Sequence, residues 1–279
     1  LGAADIVRRW PKEAAALDVA DDEPAAWRAA AEAMAVPYDK HRQVHQQSRD
    51  FTDHELWDFE SSARDDAYPI LLHAPYFDIY RRQVIKQADL ILAMHWCGDQ
   101  FTFEEKARAV AYYDPLTVRD SSLSACTQAV LAAETGHLEL AHDYAAEAAL
   151  MDLSDLEHNS RDGLHIASLA GSWIALVAGF GGLRDHDGVL TFRPQLPSAI
   201  TRLSFAIRWR GATLHINIAP DEVVYTNHSG PAVEIRHCSD TFTLGDEPVR
   251  RPTCRVEPIT PTPTQPAGRA PIHLRADGS

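Results

Sequence analysis

A chain of 279 residues, 45% apolar and 24% charged, has the composition of a soluble globular protein long enough for two domains with cores of their own. Forty Asp and Glu against 26 Lys and Arg leave a formal charge of −14, the wrong sign for counterion release onto nucleic acid or for attraction to anionic lipid. Wholesale disorder, collagen and coiled coil are excluded, and neither a nucleic acid nor a membrane is expected as a partner.

Residues 1 to about 180 place apolar side chains at spacings of three and four among Ala, Leu and Glu, which predicts helices. These run over Asp5 to Leu17, Pro24 to Met34, Arg82 to Trp96, Thr102 to Tyr112, Ser121 to Glu134, Leu138 to Met151 and Gly163 to Phe180. Ser121 and Ser122 stand where one helix starts, and Gly136 where that helix ends. Between them, Pro37, Pro69 and Pro75 interrupt a stretch rich in aromatics from Tyr38 to Tyr80. It reads either as a lid or binding loop or as a surface excursion whose rings pack on the helices beneath, with Trp57, Phe59 and Tyr76 as candidates for stacking on a ligand.

From Gly188 the period changes to two. Leu203 to Arg210 alternates apolar and polar residues, and the alternation resumes at Leu214, Ile216 and Ile218, which predicts a hairpin with one buried face. Val223 to Thr226, Val233 to His237 and Thr241 to Leu244 continue as short strands of an antiparallel sheet or sandwich. The fold class expected is therefore mainly α plus β: a helical part over residues 1–183, an antiparallel β domain over 184–246, and a tail over 247–279. That tail carries Pro252, Pro258, Pro261, Pro263, Pro266 and Pro271 with little apolar content, and is expected to be poorly ordered.

Leu164 to Gly182 holds one ionisable residue, His165, in about one membrane-span of length. The glycines at 171, 179, 181 and 182 favour a buried helix over a transmembrane one. The chain starts at Leu1, and residues 1–15 lack the apolar run of a signal peptide; it reads as processed or as part of a longer protein. Cys97, Cys126, Cys238 and Cys254 have no paired short spacing, so reduced thiols in a cytoplasmic protein are expected.

No metal site emerges, because the histidines lack zinc-hydrolase spacing and Asp185-His186-Asp187-Gly188 is too short for a calcium loop. Thr117 to Ser124 sets Arg119, Ser121 and Ser122 at a helix start, where free N–H groups favour an oxyanion; capping by Asp120 or Ser121 explains the same residues. Lys86 and Gln87, placed in the first turns of an apolar helix, are suited to directed hydrogen bonds with sugar hydroxyls or are simply solvated. His165 is either a core imidazole or a donor to phosphate.

Taken together, Val84-Ile85-Lys86-Gln87-Ala88-Asp89, Val118-Arg119-Asp120-Ser121-Ser122-Leu123-Ser124 and Asp162-Gly163-Leu164-His165-Ile166-Ala167-Ser168 closely resemble glycoside hydrolase family 65. The likeness continues through Gly171-Ser172-Trp173 and Gly179 to Gly182 into Leu190 to Pro197, and begins as early as Phe51-Thr52-Asp53-His54. It implies the C-terminal half of an (α/α)6 barrel followed by a small sheet domain. The implied activity is inverting phosphorolysis of a disaccharide such as trehalose, maltose, kojibiose or nigerose, with inorganic phosphate as co-substrate, no cofactor and a homodimeric assembly. Lys86 and Gln87 match the pair that contacts the glucosyl unit, while Ser121, Ser122 and His165 fall in the motifs around the phosphate. The general-acid Glu of the family has no matching segment here and is expected upstream of Leu1, so this portion alone is expected to be inactive. An inverting hydrolase of the acid-trehalase type, and a non-catalytic sugar-binding fragment, are the alternatives.

Overall fold

The chain divides into two units, Leu1–Tyr38 and Asp39–Ser279, of which a computed structural model describes Ala16, residues 18–156 and residues 158–271. The helix expected over Asp5 to Leu17 lies, Ala16 apart, outside the described residues. In the first unit, helix α1 spans Glu23–Glu32 and opens on a proline in its first turn, where the missing N–H costs nothing.

The second unit begins with the aromatic-rich stretch, which is not a plain loop. Helix α2, Phe59–Arg64, is capped by the Asp58 carboxylate accepting from the Ser61 N–H. Single helical turns follow at Ile70–His73 and Tyr76–Ile79, each preceded by a proline. Strands β1, Glu55–Leu56, and β2, Arg82–Gln83, pair in parallel. Trp57, Phe59 and Tyr68 pack against buried Ile70, Ile79, Val84 and Val118, so the packing alternative holds for those rings.

Five helices carry the rest of the α region: α3 Asp89–Trp96, α4 Phe103–Tyr113, α5 Ser124–Glu134, α6 Leu138–Leu150 and α7 Ile166–Ile174. A π-helical turn, Ala175–Phe180, prolongs α7. A reciprocal Thr102–Glu105 capping box fixes the start of α4. The central helix is α5, buried from Ser124 to Ala133. One face of it packs Val130 and Leu131 with Ile85, Ile91, Met94 and Tyr113, and the other packs Ala129, Ala132 and Ala133 with Leu140, Tyr144 and Phe180.

Two small residues set how α7 lies on α5. A Cβ on Gly171 would meet the Cys126 side chain at 2.5 Å, and one on Gly179 would sit against Ala129, Val130 and Ala133. Both chains therefore advance in the same direction, and their N-terminal ends point the same way. Among the described residues no helix is long and apolar enough to cross a membrane.

The β region is a sandwich. Strands β3 Leu190–Phe192, β4 Leu203–Trp209, β5 Ala212–Ile218, β6 Glu222–Ser229, β7 Val233–His237, β8 Asp240–Leu244 and β9 Val249–Pro252 form two sheets, ordered β9-β6-β5-β4 and β8-β7-β3. Arg210 and Gly211, with φ of +49° and +85°, turn β4 into β5, and the register pairs Ile207 with Leu214. The expectation of a purely antiparallel domain is corrected at one strand: β3 runs parallel to β7, since it enters from the helical region rather than from a hairpin. Leu190, Phe192, Val233 and Ile235 of one sheet share a core with Leu214, Ile216 and Tyr225 of the other.

Two further expectations are corrected here. Cys238 and Cys254 are joined in a disulfide, so reduced thiols hold only for Cys97 and Cys126. The tail is not poorly ordered as far as it is described, up to Pro271. After β9 it runs back over the helical part, where the Tyr68 hydroxyl donates to Ala267 O at 2.9 Å and Gln265 Nε2 to the Tyr144 hydroxyl at 3.3 Å. Proline-rich composition predicts no core of its own, but this segment is held by main-chain groups and by the surface of its neighbours.

Candidate functional site

The segments that carry Lys86 and Gln87 and the serines are laid side by side by two main-chain hydrogen bonds. The Ile85 N–H donates to Leu116 O at 2.8 Å, and the Val118 N–H donates to Ile85 O at 2.9 Å. β-branched Val84 and Ile85 favour this extended path, and the helix begins only at Asp89. Lys86 and Gln87 therefore stand before the helix, not within its first turns as expected. The pairing brings Gln87 to Ser121, whose hydroxyl donates to Gln87 Oε1 at 3.0 Å, while Gln87 Nε2 donates to Asp89 Oδ1 at 2.9 Å. Lys86 and Gln87 line a cavity of about 540 Å³ together with Phe51, Tyr80 and Asp89. Of the three rings considered for stacking, Trp57 and Phe59 are packing residues, whereas Tyr76 is exposed and stacks on Tyr80, which reaches that cavity.

Helix α5 starts without a side-chain cap: Leu123 holds the cap position, and neither Asp120 nor Ser121 does. The Leu123 N–H reaches the Ser121 hydroxyl only at 3.4 Å. Ser122 is half-buried beside it.

Asp120 has a different environment from the one its sequence position implies. Its side chain is completely buried, and its oxygens complete no hydrogen bond of ordinary geometry among the described residues. Burial raises its pKa; the Arg269 guanidinium, the N–H groups of Ile70 and Leu71, and the Lys86 ammonium oppose that rise in this order.

Arg119, at φ +56°, turns the chain in front of Asp120. Its buried guanidinium donates from Nε to Glu147 Oε1 at 2.8 Å and lies 5.2 Å from the Tyr144 ring centre. Beneath it, burial lifts Asp114 to about 6 despite hydrogen bonds from Gln128 and Tyr144. This buried network fixes the loop that presents Ser121 and Ser122.

His165 precedes α7. Asp152 holds it twice, with Oδ1 2.7 Å from the ring Nδ1 and Oδ2 accepting the main-chain N–H at 2.9 Å. A carboxylate on Nδ1 favours the tautomer with its proton there and frees Nε2 for another partner. Gly171 lies beside Cys126, and His165 stands six residues, about 9 Å of helix, before it. Ser121 and Ser122 precede Cys126 in the same sense, so all three expected phosphate residues emerge at the shared N-terminal end of α5 and α7.

The opposite end of α5 has its own cavity, about 450 Å³, at the seam with the β region. There Glu134 bridges Lys106 Nζ at 2.6 Å and Arg184 Nη2 at 2.7 Å. Burial tends to raise the Glu134 carboxyl, but Arg184 and Lys106 outweigh it and hold the value below the usual range. The two cations thus share a single carboxylate, and the trio keeps a net positive charge. His95 nearby is pushed down to about 4 by burial.

Sequence reading missed Asp152, Glu147 and Arg269, because each meets the site from a distant segment and carries no local motif. Among the described residues, His237, Cys238 and Cys254 have metal-ligating atoms near one another, but the two sulfurs are bonded to each other.

Comparison with known proteins places these features in a common frame. The profile described as Glycosyl hydrolase family 65 central catalytic domain matches residues 1–174, and that of the family's C-terminal domain matches residues 183–244. An uncharacterized glycosyl hydrolase of Mycobacterium leprae is 54% identical over 276 residues, 98% of this chain and 34% of its own length. The alpha,alpha-trehalose phosphorylase of Thermoanaerobacter brockii is 37% identical over 240 residues, 86% of this chain and 31% of that enzyme. A solved structure provisionally assigned as a kojibiose phosphorylase from the human microbiome superposes with a TM-score of 0.75 at 26% identity, covering 86% of this chain and 33% of that one. The chain spans about a third of the length of the curated relatives it matches.

Proposed function

The chain belongs to glycosyl hydrolase family 65, and from that premise we propose that it is the C-terminal part of an inverting phosphorylase converting an α-glucosyl disaccharide and phosphate into β-glucose 1-phosphate and glucose. In this reading the helical part is half of an (α/α)6 barrel. The trehalose, maltose and kojibiose phosphorylases among its relatives support the substrate class.

The observation that carries the proposal is the Gln87–Ser121 hydrogen bond, since it joins the sugar-reading segment to the serine loop. Inverting cleavage needs an acid for the leaving oxygen and a nucleophile on the opposite face of the sugar. A hydrolase activates water with a second carboxylate, whereas phosphate brings its own charge and needs only donors. Ser121, Ser122 and the start of α5 supply such donors at one end of the fold, and His165 Nε2, the acceptor nitrogen of the tautomer that Asp152 favours, receives the P–OH of monohydrogen phosphate there. Lys86 and Gln87 bind the glucosyl hydroxyls from the adjoining cavity. Asp120, the carboxylate within the loop, is buried against Arg269 and is poorly placed to serve as the base that the acid-trehalase alternative requires.

The general acid is supplied by residues outside this chain, which by itself is inactive. The reaction uses no cofactor. The whole protein acts as a cytoplasmic homodimer. Disaccharide cleavage by the protein expressed from its complete coding sequence is expected to require inorganic phosphate. Equal rates with and without phosphate would contradict the proposal in favour of hydrolysis.

A further inference from the structure

We propose that Arg269 is a positioning residue of the phosphate corner, brought there by the C-terminal tail and acting through Asp120 on the loop that carries Ser121. This assignment rests on the reading of the corner given above. The tail lies beyond residue 244, where the match to the family's C-terminal domain ends.

Three successive loop residues grip Arg269. Its Nε donates to Val118 O, its main-chain oxygen accepts from Arg119 Nη2, and its Nη2 lies 3.8 Å from Asp120 Oδ1. The next residue in the chain is Ser121. The tail is shaped to deliver this one side chain. The Arg269 N–H closes a turn on Pro266 O at 2.9 Å. Gly268 sits at φ +74°, with its Cα pressed so close to Ala63 that an added Cβ would come within 3.0 Å. Ala267 O accepts from the Tyr68 hydroxyl, and the guanidinium lies over the Tyr68 ring at 5.3 Å.

Charge explains why an arginine belongs here. The Asp120 carboxyl makes no ordinary hydrogen bond among the described residues and stands one residue from the proposed phosphate ligands; as an uncompensated anion it would repel an incoming dianion. Lys86, the N–H groups of Ile70 and Leu71, and the Tyr68 hydroxyl also face it, but Arg269 alone among these binds both the carboxylate and the neighbouring main chain. It neutralises the carboxylate and locks the loop together.

Initial rates of disaccharide cleavage by the full-length protein, varied over inorganic phosphate, test the assignment. Arg269→Ala is expected to raise KM for phosphate about tenfold or more while kcat and KM for the disaccharide change by less than about threefold. Arg269→Lys, which keeps the charge, is expected to recover most of the loss. In an Asp120→Asn background the cost of Arg269→Ala should fall to about twofold or less, because the anion needing compensation is gone. An unchanged KM, or the same cost in both backgrounds, would overturn the assignment and reduce the tail to packing. Should Arg269→Ala fail to fold, Arg269→Gln and Arg269→Lys decide: the Gln variant is expected to raise KM for phosphate well above that of the Lys variant, and equal impairment of the two contradicts the charge argument. Phosphate-independent turnover by the wild type would remove the phosphorylase reading itself, a result distinct from failure of Arg269 alone.

Discussion

Along β5 every second residue from Ala212 to Ile218 is sealed beneath the facing sheet, whereas α7 leaves Ile166, Leu169 and Trp173 at 66%, 40% and 51% exposure along one stripe. Helical spacing of i, i+3 and i+7 marks a face made for contact, and Trp96 of α3 is 73% exposed as well. The sandwich closes on itself. The helical part, which carries the candidate site, leaves this stripe exposed among the described residues. Completeness of a core and completeness of a site are therefore separate properties in this chain, and each can be tested alone.

The largest effect is expected in the closed region. Leu214→Ala should cost about 4 kcal/mol in urea unfolding, as a fully buried side chain between two sheets leaves a cavity that strands cannot collapse. A cost below about 1 kcal/mol would mean that the sandwich core is loosely packed.

The seam between the regions comes next. Glu134→Gln leaves Lys106 and Arg184 without their shared anion and should cost about 3 kcal/mol at pH 7. The folded carboxyl lies below its unfolded value. Its contribution is thus present above the ordinary Glu range and is lost as pH falls through the lowered folded value. The difference between wild type and Glu134→Gln should accordingly shrink on acidification, and a difference that stayed constant down to pH 2 would contradict the ion-pair account.

The smallest effect belongs to the open face. Trp173→Ala should change stability by no more than about 0.5 kcal/mol. A loss rivalling that of Leu214→Ala would show that the stripe is covered in solution.

How much of this was legible in sequence depended on range. The alternation from Leu203 to Ile218 predicts the β4–β5 hairpin directly, and the helical spacing from Thr102 to Tyr112 predicts α4. Lys86 and Gln87 were placed on a helix because the apolar period runs back through Val84 and Ile85. Those two residues instead pair with Leu116 to Val118, a contact no local pattern encodes. Ser121 and His165 stand out through the motifs that hold them. Glu147, which pairs with Arg119, and Asp152, which holds His165, carry no such mark, since contacts between segments far apart in the chain leave no period. The Pro-rich tail illustrates the same limit: its composition excludes a core but says nothing of a groove waiting for an extended strand, and the Cys238–Cys254 pairing cannot be deduced from spacing.

The central claim concerns which nucleophile opens the glycosidic bond. Phosphorus NMR of the complete protein incubated with trehalose, maltose or kojibiose and inorganic phosphate tests it most directly. The account predicts β-glucose 1-phosphate appearing mole for mole with free glucose; release of glucose alone, with the inorganic phosphate signal unchanged, would contradict it.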